Sequence, residues 1–432
     1  MWALHREISE PGAEKVNTVS LGLSQNLEQF TLLVLVNAFV GGMVGLERTV
    51  LPLIAEREFG IASKSAILSF IVSFGLVKAF VNLLTGRFSE RVGRKKLLVA
   101  GWLFALPVPF MIMWAPFWSV IVLANVLLGI NQGLCWSTTV IMKIDLVGPK
   151  RRGMAMGLNE FAGYVAASFA ALASGYIASI YGLRPAPFYL GVAFAVAGLL
   201  ISATLVRDTT EHAREEARAY HKHEQHVPSF KNVFALTSYR NSTLFSVSQA
   251  GLVNNLNDGM TWGLFPLFFA TYGLSVSEIG VLAATYPAVW GISQIATGTL
   301  SDRLGRKWLI VSGMWVQALG IFLVAVAPTW GNGPGNFLWW MVGAVMLGTG
   351  TALVYPTLLA AIGDVAHPGW RASAVGVYRF WRDLGYAVGA ILAGVVADFL
   401  GLTWAIVVIG VITLVSGIVS AITMSETRKQ II

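Results

Sequence analysis

The sequence predicts an all-α integral membrane protein with twelve transmembrane helices in two pseudo-symmetric six-helix bundles. Composition is the first reason: of 432 residues, 56% are hydrophobic and only 12% are charged, whereas about 25% are charged in a typical soluble domain. An internal repeat is the second reason. Residues 86–96 return 212 positions later as residues 298–308, and both copies read G-x-x-x-[ED]-R-x-G-R-K between apolar segments.

The repeat extends well beyond this short motif. Residues 145–182 match residues 364–401 without a gap, and the matched positions include an aspartate, a proline, an arginine and several glycines at the same spacing. The two halves are therefore parallel copies. Such copies are expected when two bundles face each other across an axis along the membrane normal.

Apolar runs long enough to cross a hydrocarbon core of about 30 Å predict the individual spans. In the first half they lie near residues 28–54, 65–85, 97–115, 118–141, 153–180 and 187–206. In the second half they lie near residues 242–271, 277–297, 308–328, 337–361, 372–398 and 403–424. The predicted domains are an N-terminal bundle over residues 1–206 with a short cytoplasmic N-terminus, a cytoplasmic linker over 207–240 and a C-terminal bundle over 241–432.

The distribution of positive charge predicts the orientation. Lysine and arginine are concentrated in the loops on the side of the two termini, and the opposite side keeps only Arg57, Lys64 and Arg184. By the positive-inside rule both termini are cytoplasmic, and we expect a multi-pass protein of the cytoplasmic (inner) membrane. The pI near 9.6 then reflects topology, so no nucleic-acid partner is implied. The first 26 residues are polar, which argues against a cleavable signal peptide, and the lone Cys135 excludes an intrachain disulfide.

The linker over residues 207–240 holds four of the six histidines. Three of them, His221, His223 and His226, lie within six residues, close to several glutamates, and could ligate a transition metal. The alternative is a solvated amphipathic helix whose charges keep it at the membrane surface, since histidine-rich tracts are compositional signals.

Twelve predicted spans, a long polar linker and the loop motif after spans two and eight resemble the major facilitator superfamily. The resemblance covers nearly the whole chain. It implies transport by alternating access, and it implies that the loop motif is a conformational latch on the cytoplasmic side, although positive charge that sets the topology is a compatible role. The implied gating residues are Gly86, Glu90, Arg91, Gly93, Arg94, Gly298, Asp302, Arg303, Gly305 and Arg306.

Two departures leave the subfamily unassigned. Drug–proton antiporters of this family usually carry an arginine in span four within R-x-x-x-G, where this chain has Asn125. They also carry a Gly-Pro motif in span five, whereas residues 158–175 contain no proline.

Ionisable residues inside the spans are candidates for function, because they are costly at membrane depth and normally face a water-filled path or one another. Span eleven has the densest set: Arg379, Arg382 and Asp383. At 1.5 Å per residue, Arg379 lies about 12 Å and Asp383 about 18 Å from the predicted cytoplasmic edge at Arg371. Arg379 and Asp383 share a helix face. We interpret this cluster as an anion- or proton-binding site, with an internal salt bridge as the alternative.

Span seven places Asn254, Asn257 and Asp258 at mid-depth. Their amides could hydrogen-bond a substrate and Asp258 could carry a proton, whereas helix–helix hydrogen bonding is the alternative for the asparagines. In span one, the neighbours Glu47 and Arg48 point to different helix faces, so we expect each of them to meet another helix.

Glu160 in span five occupies the position related by the repeat to Arg379. These opposite charges suggest an ion pair between the halves that breaks and re-forms during transport, or a purely structural pair. Aromatic and amide side chains aligned along spans four and eight complete the candidate cavity, with packing as the alternative for the tryptophans. The predicted substrate-binding residues are Asn37, Arg48, Asn125, Gln132, Asn254, Asn257, Tyr286, Trp290, Arg379 and Arg382. The predicted proton-coupling residues are Glu47, Glu160, Asp258 and Asp383.

No Walker A, HExxH or G-x-S-x-G motif is present, so we expect neither an enzyme nor a cofactor. The predicted transporter is driven by protons or another coupling ion and acts as a monomer in the lipid bilayer. The predicted spans contain four cations, Arg48, Lys78, Arg379 and Arg382, and four acids, Glu47, Glu160, Asp258 and Asp383. Protonation of any one of these acids leaves an excess of positive charge, which favours a small anion or zwitterion as substrate. Efflux of amphipathic drugs, metal transport with a histidine-rich sensing linker, and a non-transporting receptor or scaffold are the alternatives.

Overall fold

The computed structural model describes residues 20–147, 152–213, 215, 228–330, 333–366 and 368–427. In these ranges twelve main helices follow one another. The first half contains α1 (Leu27–Arg57), α2 (Ser69–Val92), α3 (Arg94–Met113), α4 (Trp118–Val147), α5 (Arg152–Tyr181) and α6 (Tyr189–Thr204). The second half contains α7 (Ser242–Thr271), α8 (Val276–Leu304), α9 (Lys307–Val326), α10 (Phe337–Val365), α11 (Pro368–Leu400) and α12 (Leu402–Thr423).

Short helical segments join the main helices. One turn, Lys64–Ile67, precedes α2, and the segments Phe230–Ala235 and Leu236–Arg240 lead into α7. Turns of 3₁₀ helix, Ala186–Phe188, Ala327–Thr329 and Gly333–Asn336, lie between other helices. Helix α3 is interrupted at Leu106, immediately before a proline that cannot donate a backbone hydrogen bond.

Ten of the helices in the described part of the chain are long and apolar enough to cross a membrane. The other two main helices differ for identifiable reasons. The apolar part of α2, Ser69–Thr85, is shorter, and α7 carries four polar residues, Asn254, Asn255, Asn257 and Asp258, in its middle. Because these side chains are buried, α7 lies inside the bundle and its low hydropathy is consistent with a spanning helix.

Glycines permit the closest helix contacts. A Cβ on Gly41 of α1 would lie 1.9 Å from the carbonyl oxygen of Gly163 on α5. Between the halves, a Cβ on Gly175 of α5 would lie 2.8 Å from the Cα of Gly280 on α8. Small residues therefore bring backbones together both within the first half and across the interface, as expected for helices packed in a membrane.

Helices α1, α2 and α5 of the first half pack against α7, α11 and α8 of the second half, respectively. We call the end of the bundle at which α1 begins and α12 ends the near end, and the opposite end the far end. At the near end, Asn26 donates to the carbonyl oxygen of Leu146 at the end of α4. The polar centre described below lies between the two ends.

Candidate functional site

An ion pair joins the two halves at the centre of the bundle. Arg48 of α1 donates through Nη1 and Nη2 to the two carboxylate oxygens of Asp258 on α7, at 2.6 and 2.9 Å. The side chains are 3% and 0% exposed. Tyr386 of α11 donates its hydroxyl to Asp258 Oδ2 at 2.6 Å. Arg48 thus contacts another helix, as expected from its position next to Glu47. The ion pair also brings together two residues of the predicted site.

Lys78 of α2 lies beside this pair, enclosed by aromatic rings. Its Nζ is 5.4 Å from the ring centroid of Phe74, 5.6 Å from that of Trp136 and 5.2 Å from that of Tyr386, distances at which the rings attract a cation. Lys78 is buried, and none of the ion pairs between described residues includes it. The ammonium group is therefore held by rings and not by a carboxylate.

Lys78 and Arg48 line one small cavity between the halves. The other lining residues are Gly41, Val44, Gln132, Trp136, Tyr164, Ala167 and Tyr386. Of these, Gln132 was a predicted substrate-binding residue, and its amide also donates to the carbonyl oxygen of Val40 at 2.8 Å. Two cations, one amide and three aromatic rings thus converge on one space.

The charged cluster of α11 is arranged differently from the sequence expectation. Asp383 pairs with its neighbour Arg382 at 2.5 Å, and not with Arg379 across one helix face. Asn82 of α2 and Asn255 of α7 also donate to Asp383, and Arg382 donates to the hydroxyl of Tyr355. The internal salt bridge that was the alternative interpretation is therefore formed, because the guanidinium of Arg382 folds back onto the adjacent carboxylate.

Glu160 and Arg379 do not pair in this conformation, contrary to the expectation from the repeat. Glu160 Oε1 accepts from the indole of Trp136 at 3.0 Å and from the amide of Asn159 at 3.1 Å. Arg379 Nη1 donates to Ser137 Oγ at 3.4 Å. Glu160 is thus held by donors of its own half, and its second oxygen, Oε2, has no partner among the described residues.

Two predicted substrate-binding asparagines are used for packing within their own halves. Asn257 donates to Gln317 Oε1 at 3.0 Å and accepts from Thr413 at 2.7 Å. Asn37 donates to the carbonyl oxygen of Asn159 at 2.7 Å and accepts from Thr139 at 3.0 Å. Neither side chain lines the cavity beside Lys78 and Arg48, so the helix-packing interpretation fits them.

The remaining predicted residues fall into two groups. Asn125, Glu47 and Asn254 are buried and each has at least one side-chain atom without a hydrogen-bond partner among the described residues. Tyr286 and Trp290 stack on each other with ring centroids 5.7 Å apart. Trp290 also contacts Tyr164 of α5, so these aromatic residues lie at the interface of the halves.

Sequence reasoning omitted several residues of the centre from the predicted site. Lys143 of α4 is fully buried and donates to Asn159 Oδ1 at 2.5 Å. Its position near the end of span four indicates only a positive charge that helps to set the membrane topology. Lys78 was counted among the charges but not assigned to the site. Its position in the middle of an apolar run, with Asn82 one turn later, was the signal that could have identified it.

The latch region at the near end shows the internal repeat in three dimensions. Arg94 pairs with Asp145 at 2.8 Å, and Thr209 donates to the same carboxylate oxygen at 2.7 Å. In the second half, the equivalent Arg306 pairs with Asp364 at 3.2 Å, and Thr427 donates at 2.9 Å. Each group joins the third and fourth helices of its own half to the segment that follows the sixth helix.

A second pair of equivalent carboxylates lies beside these groups. Asp208 Oδ2 accepts from the backbone N–H of Lys95 at 2.9 Å, in the first turn of α3. Glu426 accepts from the backbone N–H groups of Arg306 and Lys307 at 2.8 and 3.1 Å, at the start of α9. Negative charge at a helix N-terminus is favourable because the unpaired N–H groups carry partial positive charge.

The glycines of the latch motif have unequal roles. Gly93 and Gly305 have φ values of +94° and +93°, which other residues rarely adopt. A Cβ on Gly298 would have no neighbour within 4 Å, so no close helix contact is seen at this glycine in this conformation. Arg303 is exposed. The side chains of the other predicted gating residues, Gly86, Glu90, Arg91 and Asp302, lie outside the described part of the structure.

At the far end, one carboxylate bridges the two halves. Asp398, in the last turn of α11, accepts hydrogen bonds from the backbone N–H groups of Lys64 and Ser65 and from the hydroxyls of Ser63 and Ser65. These donors belong to the turn before α2. The far end is therefore closed by direct contact.

Most of the histidine-rich tract, including His221, His223 and His226, lies outside the described residues. His212 is described, and its Nε2 lies 3.3 Å from Asn26 Oδ1. Partial burial lowers the pKa of His212, which leaves it neutral near pH 7. Within the described ranges no group of three or more His, Cys, Asp or Glu side chains could hold a metal ion.

Comparison with known proteins agrees with this architecture. The protein YddS of Bacillus subtilis, an uncharacterized MFS-type transporter, is 27% identical over 376 residues, which cover 84% of each chain. The multidrug resistance protein MdtG of Citrobacter koseri is 24% identical over 375 residues, covering 84% of this chain and 86% of that protein. The crystal structure of the nucleoside transporter NupG superimposes with a TM-score of 0.69 at 13% identity and covers 92% of this chain and 100% of its own.

The family model described as Major Facilitator Superfamily matches twice, over residues 32–248 and 247–431. The two matches correspond to the two six-helix halves seen in the structure. The chain is therefore a multi-pass membrane transporter of the major facilitator superfamily.

Proposed function

We propose that this transporter moves a small organic anion or zwitterion across the cytoplasmic membrane, driven by protons, with both termini in the cytoplasm. The observation that carries the proposal is Lys78. Its buried ammonium group lines the central cavity together with Arg48 and has no carboxylate partner among the described residues. A buried charge without a partner is unfavourable, so an anion that enters the cavity supplies the missing counter-charge.

The other charges of the centre support an anionic substrate. Arg48 and Arg382 are each paired with an aspartate, which removes two cations and two acids from the count. Three buried cations remain against two buried acids: Lys78, Lys143 and Arg379 against Glu47 and Glu160. The excess of positive charge increases whenever one of the two acids is protonated.

Asp258 is the proposed proton carrier. It holds Arg48 of the other half and accepts from Tyr386. A proton on Asp258 cancels the charge that binds Arg48, so protonation weakens a contact between the halves. Proton binding and the relative position of the halves are coupled in this way.

The test is uptake into proteoliposomes with an imposed pH gradient, using radiolabelled monocarboxylates, dicarboxylates and amino acids in turn. We expect at least one of these classes to accumulate. Lys78→Gln should reduce its uptake at least tenfold. Lys64→Gln is the matched control, because Lys64 pairs with Glu56 near the far end and does not line the cavity. Wild-type uptake by Lys78→Gln would contradict the proposed role of this residue.

Drug efflux is the second candidate function. The aromatic cluster of Tyr164, Trp290 and Tyr355 at the interface of the halves would suit a flat apolar compound, and one relative is named as a multidrug resistance protein. The same liposomes distinguish the two functions. Extrusion of a cationic dye together with failure to accumulate any anion would favour efflux.

A further inference from the structure

A second pocket lies on the other side of the Arg48–Asp258 pair, toward the far end. Arg48 contributes to it from α1, and α7 and α8 provide the rest of the lining. The α7 residues of this pocket follow Asp258 along the helix toward the far end. The other lining residues are Thr261, Trp262, Phe265, Pro266, Phe269, Ile279 and Ala283.

Each of the three polar residues that line this pocket has a buried hydrogen-bond donor without a partner. Both terminal nitrogens of Arg48 are occupied by Asp258, which leaves Nε–H. The indole N–H of Trp262 and the hydroxyl of Thr261 are also buried. None of the three has a hydrogen-bond partner among the described residues. Buried polar groups almost always have a partner, so three unused donors at one pocket indicate a ligand that accepts hydrogen bonds.

The chemistry of the lining indicates which acceptor fits. The guanidinium carbon of Arg48 lies 5.4 Å from the ring centroid of Trp262, and the five remaining lining residues are apolar. No carboxylate is among the lining residues. Asp258 is bound to the two terminal nitrogens of Arg48 and offsets its charge, so an acceptor in this pocket is held by the three N–H and O–H donors and not by a net positive charge. Phenylalanine rings present positive edges, and an apolar surround suits an anion that sheds its hydration readily.

We propose that this pocket is a second anion site, which takes one small monovalent anion between Arg48 Nε, Trp262 Nε1 and Thr261 Oγ1. The anion is either a free halide ion or the carboxylate of the transported substrate, and the hydrogen-bond chemistry is the same for both. The carboxylate alternative rests on the proposed function, whereas the halide alternative is independent of it.

Because the site lies between the halves, a bound anion should stabilise one relative position of the two halves. One donor belongs to the first half and two belong to the second half, so the bound anion links the halves on the far side of the central ion pair. Any ligand that binds the folded protein stabilises it by mass action. A ligand that bridges the halves also favours the conformation in which the far end is closed.

The experiment measures the melting temperature of the purified full-length protein at constant ionic strength. Sodium sulfate, whose anion is divalent and carries no carboxylate, is replaced stepwise by sodium chloride or bromide in one arm, and by sodium acetate or propionate in the other. We expect a saturable rise of several degrees in at least one arm. Thr261→Val and Trp262→Phe each remove one donor with little change of shape, and each should lower the apparent affinity at least tenfold. Thr271→Val and Trp404→Phe change exposed residues and should behave as the wild type.

The arms also separate the two sources of the anion. Saturation with halides identifies a free ion, and saturation with carboxylates alone identifies the substrate group. The proposal is overturned if neither arm saturates in the wild type, or if both pocket variants titrate as the wild type does. Because the measurement requires no transport, a halide response stands even if no anion is accumulated in liposomes.

Discussion

Arg48 of the first half and Asp258 of the second half form a bidentate ion pair at the centre of the bundle, with both side chains almost fully buried. This contact depends on the position of the two halves, because its residues belong to different bundles. It also depends on protonation, because only the ionised carboxylate binds the guanidinium strongly. Under the proposed proton coupling, this one pair responds both to proton binding and to movement of the halves.

Asp258→Asn should separate proton coupling from substrate movement. The amide cannot carry the coupling proton and binds Arg48 weakly, so we expect accumulation driven by a pH gradient to be lost while substrate exchange is retained. Accumulation and counterflow in proteoliposomes measure the two activities. Glu56→Gln, a partly exposed acid near the far end, is the control and should keep both. Accumulation by Asp258→Asn would assign coupling to another acid.

The Arg382–Asp383 pair makes a different prediction, because both of its residues lie on one helix. Arg382→Ala leaves the buried carboxylate of Asp383 unpaired, and removing one partner of a buried pair costs about 3–5 kcal/mol. The double variant Arg382→Ala with Asp383→Ala should lose less stability than Arg382→Ala alone. Chemical unfolding of four proteins, the wild type, Arg382→Ala, Asp383→Ala and the double variant, measures the coupling. Additive losses would show that the pair contributes no interaction energy.

The contact of Asp398 with the turn before α2 should control opening of the far end. Asp398→Ala removes the acceptor of four hydrogen bonds between the halves, so the far end should open more often. Leu68→Cys provides a reporter, because Leu68 is buried there against Gly263 of α7. Its labelling by a membrane-impermeant maleimide should increase severalfold in the Asp398→Ala background.

Two controls define this measurement. The native Cys135 is buried within the first half and should stay unlabelled. Glu58→Ala removes a far-end carboxylate that pairs with Arg184 inside the first half, so it should leave labelling of Leu68→Cys unchanged. Equal labelling with and without Asp398 would show that the contact does not limit opening.

The sequence predicts the helices well because hydropathy and the repeat are local or periodic signals. The predicted span of residues 242–271 coincides with α7, and the motif glycines Gly93 and Gly305 adopt the positive φ that a tight turn requires. The family and the all-α fold are confirmed by the matches over both halves. Predicting these features does not require knowing which helices contact one another.

Side-chain partners could not be predicted in the same way. Asp258 is bound by Arg48, which is 210 residues away, and no spacing rule links them. Asn257 and Asp258 are adjacent, but the first packs within its own half and the second faces the other half. The face of a helix that meets a neighbour depends on its rotation in the bundle, and this rotation is fixed by packing with other helices. Polar residues could therefore be selected from the sequence but not assigned to the cavity.

Three of the four glycines of the repeated motif, Gly93, Gly298 and Gly305, should respond differently to alanine. Gly93 and Gly305 have positive φ values, and a Cβ on Gly305 would also lie 2.6 Å from Glu426 Oε2. Gly93→Ala and Gly305→Ala should therefore each destabilise the protein by about 1 kcal/mol or more. Gly298 lies within α8 with open space around it, so Gly298→Ala should be neutral or stabilising by up to about 1 kcal/mol. Thermal unfolding measures all three, and a loss of stability in Gly298→Ala as large as in Gly305→Ala would mean that close packing at Gly298, and not turn geometry, governs the motif.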